Sequence, residues 1–191
     1  MDAVFGFQVF GATATPMIPE LARLLADESV PESAVALGAI GIESLPILAK
    51  ALNSAITEVR LSAVVGLGLL GTNAVTCTPS LIELTKDRDW RVRAVAIRGL
   101  SETSPSCSVI TVFIGRLKDT NHVVRKVSAE ALGKLGKDAA PAISALEEAA
   151  LDSSEYVRKQ AISSLETINS ALGVDELLTT PNELEYGTPK Y

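Results

Sequence analysis

Four arginines each follow an aspartate or serine by six residues, and this spacing is the clearest chemistry in the chain: Ser54/Arg60, Asp87/Arg93, Asp119/Arg125 and Asp152/Arg158. A guanidinium carries several donors in a rigid fork, enough to hold a carboxylate and open turn carbonyls together. That chemistry is ion pairing, not turnover. Sets suited to catalysis are thin by comparison. The single histidine, His122, stands beside Asn121 at an expected helix start, with no second histidine for a metal centre and no Ser-His-Asp set. Cys77 and Cys107 are too few for a disulfide scaffold or a four-ligand zinc site and read as buried thiols. Gly66-Leu67-Gly68 lies inside a helical pattern and follows no strand, so it is not a phosphate loop. Glu147 with Glu148, and Asp152 with Glu155, read as solvated acids on exposed helices. Trp90, between arginines 88, 91 and 93, is expected to pack over a turn, with stacking on a ligand as the alternative. The expectation is a non-enzymatic chain with no cofactor and no metal.

The elements that position these residues must be built from small aliphatics. Of 191 residues 47% are hydrophobic but only 4% aromatic, and mean hydropathy is +0.28, a composition suited to closely packed helices. A formal net charge of −6 and a pI near 4.9 leave no general basic surface for phosphates, which argues against a nucleic-acid partner. The opening MDAVFGFQVF is apolar, but Asp2, the lack of Lys or Arg, and the breaks at Gly6 and Gln8 make it structural rather than a signal peptide. No run approaches the roughly 20 uninterrupted apolar residues of a membrane span, and a cytoplasmic location is expected.

Self-similarity supplies the architecture. Val-Arg recurs at 59–60, 92–93, 124–125 and 157–158, the arginines being 33, 32 and 33 residues apart. Seven positions after them stand Leu67, Leu100, Leu132 and Leu165, and eleven after them Gly71, Ser104, Gly136 and Asn169, residues that end helices or begin loops. Each period holds two amphipathic runs. In the last, Pro141 opens a helix with Ile143, Leu146 and Ala150 inward, the turn Asp152-Ser153-Ser154 caps the next, and that helix turns Val157, Ala161, Ile162, Leu165 and Ile168 to the core. Pro19, Pro46 and Pro79 mark other first turns. The fold expected is all-α: an α-solenoid of stacked antiparallel helical hairpins of HEAT/armadillo type. A half-repeat spans 1–11, five hairpins cover about 15–41, 42–71, 74–104, 106–136 and 139–169, and the solenoid as a whole covers 1–171. Residues 172–191 leave the pattern, and either cap the last hairpin through Leu177, Leu178 or Tyr186 or stay unfolded.

The stretches DRDWRVRAVAIRGL, DTNHVVRKVSAEALGKLG and DSSEYVRKQAISSL resemble HEAT repeats, and the short period with its Ala-Leu-Gly-x-Leu-Gly ending is similar to the variants first associated with phycobilisome lyases. The resemblance covers about residues 1–170. It implies a ladder in which Asp87/Arg93, Asp119/Arg125 and Asp152/Arg158 link turns within and between units, with Ser54/Arg60 a weakened rung. The first unit departs from the pattern: it is three residues short, Val30 stands in the arginine position, Asp27 lacks its partner, and Pro31 is expected to start the second helix.

In HEAT-like solenoids the second helices line the concave side, and there the positions one, five and nine after the arginine register form one ridge. It runs through Met1, Phe5 and Val9; Pro31, Val35 and Ala39; and Leu61, Val65 and Leu69; then Ala94, Arg98 and Glu102; Lys126, Glu130 and Lys134; and Lys159, Ser163 and Thr167. Three apolar helices are followed by three polar ones. A ridge this apolar fits a partner protein or a second copy of the chain; the alternatives are that helix rotation buries it, or that Phe5, Phe7 and Phe10 form an end from which upstream repeats are missing. The expected function is a protein-interaction scaffold binding on the concave surface. The alternative, which rests on the repeat resemblance alone, is a phycobilin-lyase-like component acting on a bilin chromophore or a phycobiliprotein.

Overall fold

The computed structural model describes residues 11–27, 29–103 and 109–173. Among the described residues ten α-helices pair into five antiparallel hairpins: α1 (Ile18–Ala26) with α2 (Ser33–Ile40), α3 (Leu45–Ala51) with α4 (Thr57–Leu70), α5 (Thr78–Leu84) with α6 (Trp90–Thr103), α7 (Ile110–Arg116) with α8 (His122–Lys134), and α9 (Ile143–Ala149) with α10 (Glu155–Leu172). Short 3-10 segments at Gly11–Met17, Ile42–Ser44, Gly71–Cys77 and Gly136–Ala142 lead into α1, α3, α5 and α9. The half-repeat expected over 1–11 lies almost wholly outside the described residues, as do Phe5, Val9 and Cys107.

Four of the first helices, α1, α3, α5 and α9, start at a proline-bearing 3-10 turn or first turn. Pro19, Pro46 and Pro79 occupy first-turn positions where no backbone N–H is needed. Gly71 and Gly136, both at φ +55, break the chain out of the preceding second helix, a conformation that costs a side-chain-bearing residue but not glycine. In the last unit Asn169 does not end the helix. α10 continues to Leu172 and stops at Gly173, which is left-handed with φ +74.

The second helices pack against one another in unbroken succession, α2 on α4, α4 on α6, α6 on α8 and α8 on α10, while each first helix rests mainly on the second helix of its own hairpin. The contacts between successive units therefore run through α2, α4, α6, α8 and α10, which form one continuous layer. Glycine permits the closest approach. The Gly38 and Gly66 backbones of α2 and α4 touch, and a Cβ at Gly66 would strike the carbonyl of Ala34 and lie 3.0 Å from Leu48. Two glycines inside α4 cost helix propensity of roughly 1 kcal/mol each; Gly66 earns its place through this contact. Between α8 and α10 the buried Ser164 hydroxyl donates to the Ala129 carbonyl at 2.8 Å.

A single core of Ala, Val, Leu and Ile runs the length of the stack, with Phe113 of α7 its one fully buried aromatic among the described residues. The stretch Thr57–Leu84 is long and apolar enough to resemble a span, with a mean hydropathy of 1.5 over an 18-residue window. It is two helices broken at Gly71, with α4 packed between α2 and α6.

Candidate functional site

The arginine positions resolve into two distinct links. Each Nη1 donates to main-chain carbonyls of its own turn: Arg60 to Ser54 and Ala55 at 2.9 and 3.0 Å, Arg93 to Asp87 at 2.9 Å, Arg125 to Asp119 at 2.9 Å and Arg158 to Asp152 at 2.8 Å. The remaining face of the guanidinium crosses to the next unit. Arg60 Nε and Nη2 donate to Asp87 Oδ2 and Oδ1 at 2.8 and 3.0 Å, Arg93 to Asp119 at 2.8 and 2.7 Å, and Arg125 to Asp152 at 2.7 Å twice. The same carboxylates close their own turns, accepting the N–H of Asp89, Asn121 and Ser154 at 2.8, 2.9 and 2.8 Å.

This corrects the pairing expected within a unit. Asp87/Arg93, Asp119/Arg125 and Asp152/Arg158 meet only through the aspartate main-chain carbonyl, because the side chain is turned back towards the preceding unit. Ser54/Arg60 is not a weakened rung either: the Ser54 carbonyl accepts from Arg60 and its hydroxyl accepts the Ile56 N–H at 3.1 Å, and the Arg60–Asp87 pair is the most enclosed, with side chains 7% and 9% exposed. The irregular first unit follows from the same rule. A rung needs an arginine in one unit and an aspartate in the next, and Val30 and Ser54 remove both halves together. Asp27 pairs instead with Arg23 of α1 at 2.9 Å.

Burial pushes the Asp119 carboxyl up, but the Arg93 hydrogen bond, the Asn121 N–H and the neighbouring positive charges outweigh it and hold it below the usual range. For Asp152 the Arg125 hydrogen bond is the largest influence, again downward, and Arg125 is raised in return. Shallow clefts follow the rungs along the edge of the stack, lined by Asn53, Arg60 and Asp87, by Arg93 and Asp119, and by Arg125 and Asp152. Their charged groups are already satisfied by one another, so they hold the solenoid together and offer no free reactive group.

The other chemistry-bearing residues are dispersed. His122 is exposed at the first position of α8, where Asn121 caps the helix by accepting the Val123 N–H at 2.8 Å. In the turn Asp152-Ser153-Ser154 before α10, Ser154 makes no side-chain cap bond, and the Asp152 carboxylate accepts the Ser154 N–H. Glu147 and Glu148 are exposed, Glu155 pairs with Lys159 at 2.7 Å, and Cys77 is buried with its thiol pushed up by desolvation. Trp90 is 40% exposed at the start of α6, in a shallow cleft with Thr57, Arg88, Asp89 and Arg91. Among the described residues no group of three or more His, Cys, Asp or Glu side chains could hold a metal.

On the second helices, α4 carries Val65 and Leu69 at 43% and 42% exposure, with Leu61 one turn earlier partly exposed but packed against the core. Val35 and Ala39 of α2, the helix packed against α4, are partly exposed. Arg98 and Glu102 of α6 are exposed, and the Glu102 carboxylate folds over Gly68 of α4, where a Cβ would lie 2.5 Å from Oε2. On α8, Lys134 is exposed and paired with Glu130 at 3.2 Å, while Lys126 is partly exposed. Lys159, Ser163 and Thr167 of α10 are exposed. Ala94 breaks the ridge, its methyl being too short to leave the core. Ile162, expected inward, is 43% exposed, although its equivalents Val64, Ile97 and Ala129 are buried by a following unit.

Residues 78–166 match the family model for HEAT repeats. The fold is a HEAT/armadillo-type solenoid. It is similar to a designed armadillo repeat protein in complex with the peptide (KR)4, at 19% identity and TM-score 0.60 over 87% of this chain and 90% of that one. It is also similar to an engineered protein from a structural genomics consortium, at 21% identity and TM-score 0.63 over 80% and 81% of the two chains. Computationally designed armadillo repeat proteins for modular peptide recognition align at 19% identity and TM-score 0.60 over 78% and 81%. At these identities the similarity is one of fold. No curated protein sequence matches the solenoid, and neither the family match nor these neighbours carries the phycobilisome-lyase resemblance.

Proposed function

We propose that this solenoid is a non-enzymatic interaction scaffold that receives a segment of a partner protein along its inner ridge. The observation that carries the reading is the pair Val65 and Leu69, one turn apart on α4, exposed on the layer where α2, carrying Val35 and Ala39, packs against α4 and Arg98 and Glu102 follow on α6. Apolar side chains at i and i+4 on a rigid helix make a small contact face that water solvates poorly. The charged positions beyond it, Arg98, Lys126, Glu130 and Lys134, fix direction and register more than affinity. The ligand best fitted is a peptide or helix with two apolar anchors followed by residues of mixed charge. The designed armadillo neighbours, one solved with a peptide and others made for modular peptide recognition, lend the reading support by fold. The strongly basic peptide of the first is not carried over, because the ridge here mixes both signs.

Peptide-display selection against the full chain, followed by measurement of the selected peptides on a Val65→Asp/Leu69→Asp variant, tests the proposal. Truncating or charging two anchors of a small contact face should weaken binding at least about tenfold while circular dichroism and melting stay as in the parent. Equal binding by parent and variant would overturn it. Light scattering of both proteins decides whether a second copy uses the same face, since a dimer that dissociates in the variant makes the chain its own partner.

A further inference from the structure

The last unit ends on a face that every earlier unit covers. Arg158 binds its own turn through Nη1, to the carbonyls of Asp152 and Ser153 at 2.8 and 3.1 Å, but among the described residues its Nε and Nη2, the atoms that reach a carboxylate in the three rungs before it, have no acceptor. Ile162, at the register of buried Val64, Ile97 and Ala129, is open. Leu151 is 85% exposed where Lys118, one unit earlier, reaches Glu148 of the next first helix at 3.1 Å.

The ladder has a fixed register: each arginine meets the carboxylate 27, 26 or 27 residues later. Counting 27 from Arg158 gives Glu185, within a stretch, 174–191, that also holds Leu177, Leu178 and Leu184. We propose that residues 174–191 are the occupant of this end face, with Glu185 supplying the fourth carboxylate to Arg158 and the leucines covering Ile162 and Leu151. The reach is sufficient. The fifteen residues of helix from Arg158 to Gly173 rise about 22 Å, and the twelve from Gly173 to Glu185 return about 18 Å as helix or up to roughly 40 Å if extended. Of the four acids in this stretch, Asp175, Glu176, Glu183 and Glu185, only Glu185 stands in the register of the rungs.

Hydrogen–deuterium exchange of the full chain tests this. Amides near residues 177–188 should be protected, to the same degree on dilution, and Glu185→Gln should lower that protection about tenfold, the loss expected for one charge-assisted contact. Glu183→Gln should leave it unchanged, and the exchanged pair Arg158→Glu/Glu185→Arg should recover it in part. Exchange at the rate of an unstructured peptide would overturn the proposal. So would equal effects of Glu183→Gln and Glu185→Gln, or protection that disappears on dilution, which would assign the face to a second copy.

Discussion

Removing the Asp87 carboxylate should cost more than its position in a surface turn implies, and the loss should belong to Arg60, not to Arg93. Asp87 accepts two guanidinium hydrogen bonds from Arg60 at 2.8 and 3.0 Å in a pair whose side chains are 7% and 9% exposed. Taking one partner from a buried ion pair leaves an uncompensated charge, a loss of about 3–5 kcal/mol. Asp87→Ala is therefore expected to lower stability by that amount, or by roughly 2–4 °C in melting temperature per kcal/mol for a chain of this size. A double-mutant cycle resolves the partner. Arg60→Ala with Asp87→Ala should show a coupling of about 2–3 kcal/mol, whereas Arg93→Ala with Asp87→Ala should be additive within about 0.5 kcal/mol, because Arg93 uses only the Asp87 main-chain carbonyl. Urea unfolding followed by circular dichroism gives the free energies, with exchange of α4 and α6 amides reporting where the stack opens. A larger coupling for Asp87 with Arg93 than with Arg60 would refute the inter-unit ladder.

Acid should loosen the lower rungs. The folded carboxyls of Asp119 and Asp152 are held below their unfolded value of about 3.9, so the folded state binds fewer protons; their stabilisation is complete above about pH 4 and is lost as pH falls through the folded values. Urea midpoints measured from pH 7 to pH 3 should fall accordingly, and the cost of Arg125→Met should be smaller at pH 3 than at pH 7. Gly38→Ala should destabilise by about 1–3 kcal/mol or more through overpacking against Gly66, while Gly115→Ala in α7, where a Cβ meets nothing within 4 Å, should stabilise by about 0.5–1 kcal/mol; thermal melts of the two decide it. Val65→Asp/Leu69→Asp should change stability by no more than about 1 kcal/mol, since both side chains are over two-fifths exposed, and chemical denaturation checks this.

Four of the hairpins were legible in the sequence because each rests on a local signal: the Val-Arg register and the leucine seven residues on sit in one helix, and in two of them a glycine eleven on, Gly71 or Gly136, stands at its end. The ladder's residues were legible for the same reason, but their partners were not. A six-residue spacing makes the within-unit pair look natural, and only the stacking distance between turns shows that the carboxylate one unit later is nearer. The paired loss at Val30 and Ser54 was the available clue, since it removes one rung at both ends. Ile162 went astray because helical periodicity identifies an apolar stripe without telling whether another unit follows to cover it. Ala94 and Leu61 show the converse: a ridge position defined by angle alone does not report how far a side chain extends from its neighbours. Glycines 38 and 66 were unreadable as contacts, since helical pattern says nothing of backbone approach between units.

The most direct test of the scaffold reading is the exchange footprint of a display-selected peptide on the full chain. Protection centred on α4, at residues 61–69, and spreading to α2 and α6 is the predicted result. A footprint confined to the first helices α1, α3, α5, α7 and α9, with α4 unchanged, would contradict it.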